Sequence, residues 1–94
     1  MANVVYILTN QCMPNLIKIG RTNDLNQRVR ELSRATGVPL PFEVHYACEV
    51  EDNCKVEKAL HEAFGEERIN PKKEFFTKNP ERVKAVLRFD QIPL

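Results

Sequence analysis

The sequence has no apolar stretch that approaches the roughly 20 residues needed to span a bilayer. Its first residues, Met1 to Tyr6, also lack the basic start and the long apolar run of a signal peptide. These two absences argue against a membrane protein and against an exported one. We therefore expect a soluble protein with no membrane partner, located in the cytoplasm.

Cysteine is scarce and irregularly spaced. The three cysteines, Cys12, Cys48 and Cys54, are an odd number and include no C-x-x-C pair. Their spacing therefore fits neither a disulfide framework nor a zinc site. We expect three reduced thiols, with Cys48 packed inside because it lies in an apolar stretch.

Excess charge is almost absent, because 14 basic residues oppose 13 acidic ones and the formal net charge is +1. This balance argues against a generic polyanion-binding protein. The segment from Lys18 to Arg34 is nevertheless basic, with only Asp24 and Glu31 as acidic residues. A local basic surface suits a phosphate-handling site, although a solvated helix face has the same composition. The basic residues of this segment are Lys18, Arg21, Arg28, Arg30 and Arg34.

The length of 94 residues allows one domain, residues 1–94, without a second core. Short apolar runs predict strands over residues 4–8 and 16–19, the second of which is stopped by Gly20. The short connection favours antiparallel pairing of these strands. A third strand is predicted over residues 42–50, where alternation places four side chains on one face: Phe42, Val44, Tyr46 and Cys48.

Apolar residues that recur every three or four positions predict three helices. A short extended piece at Phe75–Phe76 separates the second helix from the third. The order β-β-α-β-α-(β)-α lacks regular βαβ alternation, so it predicts an α+β fold with a small, mainly antiparallel three-stranded sheet flanked by helices. The helices are expected to begin after Thr22 or Asn23, after Asp52 or Asn53, and at Asn79-Pro80, and the first two to end near Arg34 and Gly65.

The ten residues from Ile19 to Arg28, I-G-R-T-N-D-L-N-Q-R, resemble the segment that follows the second motif of GIY-YIG endonucleases. In that family the two tripeptide motifs lie on adjacent strands, an arginine follows the second motif and a glutamate on a later helix completes the site. Here Arg28 stands eight residues after Gly20. The resemblance extends from Val4 to about Phe76, and the matching site residues are Tyr6, Gly20, Arg28 and Glu57.

Three positions depart from the usual motifs. The tripeptide at residues 4–6, V-V-Y, lacks the expected glycine, and Lys18 replaces the usual tyrosine of the second motif. Leu32 stands four residues after Arg28, where histidine or tyrosine is common. These departures resemble the divergent branch of the family found in phage and in fungal meiosis-upregulated proteins. That branch has a K-I-G-R-T second motif and a later L-H-x-x-F segment, which residues 60–64 match.

The resemblance implies a metal-dependent endonuclease that hydrolyses phosphodiester bonds in nucleic acid, in DNA rather than RNA. This reaction needs an activated water, a divalent ion and a cation on the phosphate. Glu57 would hold Mg²⁺ or Mn²⁺ and Arg28 would bind phosphate oxygens. Tyr6 would act as the base or orient the attacking water. Lys18 would supply a positive charge in place of the missing tyrosine. Gly20 would let the backbone turn tightly beside the site.

Other residues complete the expected site. His61 lies one helical turn after Glu57, so we expect it to support the site, with a partly buried structural histidine as the alternative. Asn70 and Glu74 are further supporting candidates, whereas His45 is expected on the outer face of its strand without a function. The residues expected to contact nucleic acid are Arg21, Arg28, Arg30 and Arg34.

A different class of function stays open. In the alternative interpretation, Tyr6 is a core tyrosine with its hydroxyl at the rim, Arg28 is an ordinary solvated helix arginine and Glu57 is a surface glutamate. The protein would then be a catalytically inactive module that retains the fold and binds nucleic acid or another protein. Under either hypothesis we expect weak, salt-sensitive binding, because few phosphate contacts are available unless a homo-oligomer or a protein partner supplies more surface.

Overall fold

The chain folds into strands and helices in the order expected from its apolar pattern. The computed structural model describes residues 3–34, 39–65, 75–76, 79–88 and 92–93. The α+β class and the predicted order are confirmed, and a short strand follows the last helix. The elements are β1 (Val4–Thr9), β2 (Ile17–Thr22), α1 (Leu25–Ser33), β3 (Glu43–Glu49), α2 (Asn53–Ala63), β4 (Phe75–Phe76), α3 (Pro80–Arg88) and β5 (Ile92–Pro93).

The sheet is antiparallel and has the strand order β4-β2-β1-β3-β5. Its three long strands are β1, β2 and β3, whereas β4 and β5 each contribute two residues at the edges. The residues from Val4 to Leu8 on the central strand β1 are at most 2% exposed. A strand covered on both faces requires apolar side chains on both, which explains the uninterrupted apolar run in the sequence.

Helices cover both faces of the sheet, and each face has its own apolar cluster. The α1 face carries Tyr6 and the α2–α3 face carries Ile7, as strand alternation requires. On the α1 face, Val4, Tyr6, Leu8, Phe42 and Ala47 pack with Met13, Leu25, Val29 and Leu32. On the α2–α3 face lie Val5, Ile7, Ile17, Ile19, Tyr46, Cys48, Val50, Val56, Leu60, Phe64, Phe76, Val83 and Leu87.

Gly20 does not end the second strand, so that prediction is wrong. The strand continues to Thr22, and Gly20 pairs with Tyr6 in the middle of the ladder. A Cβ atom at Gly20 would lie 2.3 Å from the hydroxyl oxygen of Tyr6. The glycine is therefore required for close approach of a large side chain, not for a turn.

The helix caps are aspartates and an asparagine. The predicted caps Thr22 and Asn23 are wrong for α1, because Asp24 accepts a hydrogen bond from the backbone of Gln27 at 3.1 Å. Of the two alternatives for α2, the cap is Asp52. For α3 the predicted start is confirmed, since Asn79 accepts a hydrogen bond from the backbone of Glu81 at 2.9 Å.

A bulge in β3 changes which face its side chains occupy. Ile7 pairs with Tyr46 but Leu8 pairs with Val44, so His45 is an extra residue in the ladder. Tyr46 then packs on the α2–α3 face while Phe42 packs on the α1 face. The prediction of a single face for this strand is therefore wrong.

His45 itself is tied to the last helix. Its Nε2 atom lies 2.5 Å from a carboxylate oxygen of Glu81, which is at the start of α3. The hydrogen bond with His45 is the main cause that lowers the pKa of the Glu81 carboxyl below its ordinary value. The bulge residue thus has a structural partner on α3.

The cysteines behave as the sequence predicts. All three are free thiols, with Cys48 buried and Cys12 and Cys54 exposed. Burial raises the pKa of the Cys48 thiol to about 11, which keeps it protonated at neutral pH.

None of the helices in the described parts of the chain has the length and apolar character required to cross a bilayer.

Candidate functional site at the edge of the second strand

The candidate residues gather at the second half of β2, which we call the β2 edge (residues 19–22). The edge strand β4 pairs only with Ile17 and Lys18. Within the described ranges, residues 19–22 therefore have a strand neighbour on one side only, which is β1. Two residues separate this edge from the start of α1, and α2 packs directly against β2. Side chains from both helical layers can reach the β2 edge.

On the α1 face, Tyr6 and Arg28 form a pair. The Tyr6 side chain is 1% exposed and lies against Gly20. Its hydroxyl is hydrogen-bonded to the Arg28 side chain, and this bond is the main cause that raises the pKa of Arg28 above its ordinary value. A second, looser contact joins Arg28 Nη1 to a carboxylate oxygen of Glu31 at 3.5 Å. The guanidinium is therefore anchored from below by Tyr6 and from the side by Glu31.

Arg28 opens onto a shallow depression on this side of the edge. Its walls come from the end of β2 and the first turns of α1, and every lining residue is polar or charged. The depression is large enough for a phosphate group, and Arg28 is its cationic side chain. The lining residues are Thr22, Asn23, Asp24, Gln27, Arg28 and Glu31.

On the α2 face, Arg21 pairs with Glu57. The Arg21 Nε atom lies 3.6 Å from a carboxylate oxygen of Glu57, and the two side chains are 46% and 14% exposed. Arg21 lies opposite Val5 in the ladder and therefore projects to the face that carries α2. Glu57 and His61 follow at helical spacing on α2. Both border a second depression, on the α2 face, which Arg21 also lines. The other residues of that depression are Cys54, Lys58 and Glu62.

His61 is attached to the β2 edge by a hydrogen bond. Its Nε2 atom lies 3.0 Å from the carbonyl oxygen of Ile19, and its ring stands 5.2 Å from that of Phe76. A carbonyl oxygen can only accept, so Nε2 must carry the proton. The flanking residues Leu60 and Phe64 are 4% and 8% exposed. The L-H-x-x-F segment is thus the surface by which α2 docks on the sheet.

Lys18 lies deeper than the other candidates. It pairs with Leu8, which belongs to the α1 face, and its exposure is 8%. Two residues along a strand are about 7 Å apart, so Lys18 lies on the same face as Gly20 but further into the sheet. The structure therefore brings Tyr6, Lys18, Gly20 and Arg28 to one face and Glu57 to the other, with the β2 edge between them.

The four arginines expected to contact nucleic acid do not form one patch. Arg28 and Arg21 flank the β2 edge from its two sides. Arg30 follows Arg28 by two helical positions, a rotation of about 200° around α1, so it projects away from the depression. Arg34, at the end of the helix, is also exposed. Arg30 and Arg34 therefore belong to the outer surface of α1.

Asn53 is a buried polar residue that the sequence did not identify as part of the site. It is 6% exposed, and its Nδ2 atom donates to the carbonyl oxygen of Thr22 and to the side-chain oxygen of Asn23, each at 3.2 Å. These bonds fasten the start of α2 to the end of β2. The available indication was a second cap-type residue directly after Asp52, one more than a helix start needs.

Replacing Asn53 by alanine is expected to lower the free energy of unfolding by about 1–3 kcal/mol, because two partly buried hydrogen bonds to Thr22 and Asn23 are lost. Urea denaturation measures this change. The matched control is Asn26→Ala, which removes an exposed asparagine from α1. Equal effects of the two substitutions would show that Asn53 does not fasten α2.

Two supporting candidates cannot be placed. Asn70 and Glu74 lie outside the described residues. Among the residues that the structure describes, no three His, Cys, Asp or Glu side chains form a group that could enclose a metal ion. An ion at Glu57 would therefore need ligands beyond these side chains, such as water and substrate oxygens.

The fold is that of a small α+β domain. The chain belongs to the T5orf172 domain family, whose model matches residues 3–90. This is a phage-associated domain related to the GIY-YIG/HNH-like nuclease fold, and the match is consistent with a nuclease-like or nucleic-acid-interacting domain. No curated protein and no solved structure shows a significant match to the chain.

Proposed function

We propose that this domain is a metal-dependent endonuclease that hydrolyses phosphodiester bonds in DNA at the β2 edge. One observation carries the proposal: Arg28 borders this edge on the α1 face, and the Arg21–Glu57 pair borders it on the α2 face. Hydrolysis of a phosphodiester needs cations on the phosphate and a carboxylate that can hold a divalent ion. Both kinds of group are present on the helices that flank the β2 edge, Arg28 on α1 and Glu57 on α2.

Arg28 is the residue that would bind the scissile phosphate. Its guanidinium offers several N–H donors in a plane, which match the geometry of phosphate oxygens. Its side chain is 40% exposed, so part of the guanidinium reaches solvent while the rest is held by its partners. A cation that is already oriented stabilises developing negative charge without reorganising during the reaction.

Glu57 is the residue that would hold the ion, Mg²⁺ or Mn²⁺. Magnesium is commonly bound through one or two carboxylates together with substrate phosphates and water. One partly exposed carboxylate therefore fits an ion that is held jointly with the nucleic acid. When bound, the ion would activate the attacking water and neutralise charge on the phosphate.

Arg21 would exchange partners when the site is occupied. Its contact with Glu57 is 3.6 Å long, and the Arg21 side chain is 46% exposed, so solvent screens the ion pair from the arginine side. Replacement of Arg21 by a divalent ion at Glu57 is therefore easy, and Arg21 can then turn to a phosphate. Two arginines give few phosphate contacts, so binding by the domain alone is expected to be weak and salt-sensitive, with specificity supplied by a homo-oligomer or a protein partner.

The proposed compartment is the cytoplasm. The exposed thiols of Cys12 and Cys54 are free, and reduced thiols persist in a reducing compartment. DNA is also the substrate that a cytoplasmic phage-related nuclease would meet. The proposal therefore combines a reduced protein with an accessible nucleic acid substrate.

Nicking of supercoiled plasmid by the purified protein tests the activity. We expect nicking with Mg²⁺ or Mn²⁺ and none with EDTA. Glu57→Gln and Arg28→Ala should each lower the rate on the order of 100-fold or more. The matched controls are Glu43→Gln and Arg82→Ala, which change exposed residues at the opposite end of the ladder and on α3 and should leave the rate unchanged.

The second candidate function is a catalytically inactive module that binds nucleic acid. The burial of Tyr6 (1% exposed) and Lys18 (8% exposed) favours it, because neither strand residue can readily contact an attacking water. DNA binding by the wild type without nicking under any divalent ion would select this module over the nuclease. Nicking that survives Glu57→Gln would instead contradict the proposed site.

A further inference from the structure

We infer that Tyr6 is a positioning residue that holds the Arg28 guanidinium at the β2 edge, and that it is not the group that takes a proton from the attacking water. The inference rests on the proposed function, since it assigns a role inside that site. It changes the role of the tyrosine that the motif makes most prominent. The reasons are its burial, its contact with Gly20 and its bond to Arg28.

The surroundings of Tyr6 leave no space for a water or a substrate beside its ring. Its side chain is 1% exposed on the central strand of the sheet. A Cβ atom added at Gly20 would lie 2.3 Å from the hydroxyl oxygen, 2.5 Å from Cζ and 2.7 Å from Cε1. The bare backbone of Gly20 therefore covers the end of the ring. A general base must lie within hydrogen-bond reach of the proton it removes, directly or through one water.

The hydrogen-bonding chemistry assigns the direction of the bond to Arg28. A guanidinium has only donors, so the tyrosine hydroxyl must accept from it. The oxygen of Tyr6 is thus used as an acceptor for a cation. The remaining N–H groups of Arg28 keep their freedom to bind phosphate at the exposed side of the residue.

Tyr6 is the stronger of the two anchors of Arg28. The other anchor, Glu31, lies at 3.5 Å and its side chain is 51% exposed, so it contributes little to orientation. A side chain that is held in place before binding loses less conformational freedom when the ligand arrives. Removal of the Tyr6 hydroxyl should therefore weaken phosphate binding, and this effect should depend entirely on the presence of Arg28.

A double-mutant cycle on Tyr6 and Arg28 tests the inference without requiring catalysis. Binding of a short fluorescein-labelled DNA duplex is measured by anisotropy in EDTA at low salt. Tyr6→Phe should weaken binding roughly 3- to 10-fold, the loss expected for one hydrogen bond. In the Arg28→Ala background the same change should have no further effect. The control is Tyr46→Phe, which changes a tyrosine on the other face and should leave binding unchanged.

Side-chain NMR of labelled arginine provides a readout that does not depend on binding. The Arg28 guanidinium resonances should show restricted rotation in the wild type and averaged rotation in Tyr6→Phe. Thermal unfolding of each variant verifies that the fold persists. Unchanged Arg28 resonances in Tyr6→Phe, or an equal loss of binding with and without Arg28, would overturn the inference.

The outcomes also separate this inference from the proposed function. If no divalent ion supports nicking but the cycle shows coupling, the nuclease proposal fails and the positioning role of Tyr6 stands. If the protein nicks DNA and Tyr6→Phe abolishes nicking while the Arg28 resonances stay restricted, the nuclease proposal stands and Tyr6 is not a positioning residue.

Discussion

Replacing Gly20 by alanine is expected to lower the free energy of unfolding by about 1–3 kcal/mol, the range for overpacking a filled interior. The new methyl group would approach the Tyr6 hydroxyl oxygen to 2.3 Å, far closer than a carbon can approach. Tyr6 cannot move away, because its ring is buried between α1 and the sheet. The substitution should also displace the hydroxyl from Arg28 and weaken DNA binding to the level of Tyr6→Phe.

The chain supplies a matched control for this prediction. A Cβ atom at Gly65 would meet nothing within 4 Å, so Gly65→Ala should leave the interior unchanged. Urea denaturation of both variants measures the difference. If Gly20→Ala is no less stable than Gly65→Ala, the close contact between Gly20 and Tyr6 is not a property of the protein.

Replacing Leu60 by alanine is expected to lower the free energy of unfolding by about 2–5 kcal/mol, as for other buried leucines. Leu60 is 4% exposed and packs in the cluster on the α2–α3 face. Domains of this size are stable by about 5–15 kcal/mol in total, so the loss would be a large fraction. Because α2 also carries Glu57, loosening its attachment should reduce any activity that depends on that carboxylate.

The control for Leu60 lies on the same helix. Lys58 is exposed, so Lys58→Ala changes the helix without removing a core side chain. If the two variants have the same dependence of unfolding free energy on urea concentration, the difference between their urea midpoints measures how much the Leu60 side chain contributes to stability. A destabilisation by Leu60→Ala no larger than that by Lys58→Ala would contradict the docking role given to the L-H-x-x-F segment.

The regular elements could be predicted because their causes are local. The run from Val4 to Leu8 is apolar on both faces, which marks a covered central strand. The Asn79-Pro80 start follows from a hydrogen bond within two residues. Interactions of this kind involve residues that are close in sequence, so a short segment is enough to predict them. At α1, three neighbouring residues of cap type competed, and the prediction of Thr22 or Asn23 missed Asp24.

Long-range pairing set the features that the sequence analysis missed. The bulge at His45 depends on how β3 meets β1, and it sends Phe42 to the opposite face from Tyr46. The short strand β5 depends on a distant partner in β3. A one-residue change of register reverses every side chain that follows it, and no local pattern records where this happens.

The candidate site shows the same division. The motif identified Gly20 and Arg28, yet the reason for the glycine is its partner Tyr6 across the ladder and not a turn. The pairing of Arg21 with Glu57 and the bonds from Asn53 to the end of β2 join residues that are distant in sequence. These contacts become visible only when α2 is placed beside the β2 edge.

The central claim, a divalent ion held by Glu57 at the β2 edge, is tested most directly by paramagnetic broadening. Mn²⁺ is titrated into ¹⁵N-labelled protein with a short DNA duplex present, and the amide resonances are followed. We predict selective broadening around Glu57, Arg21 and His61, which disappears in Glu57→Gln. Broadening centred on another acidic segment, such as Glu51 and Asp52, or broadening that persists in Glu57→Gln would contradict the account.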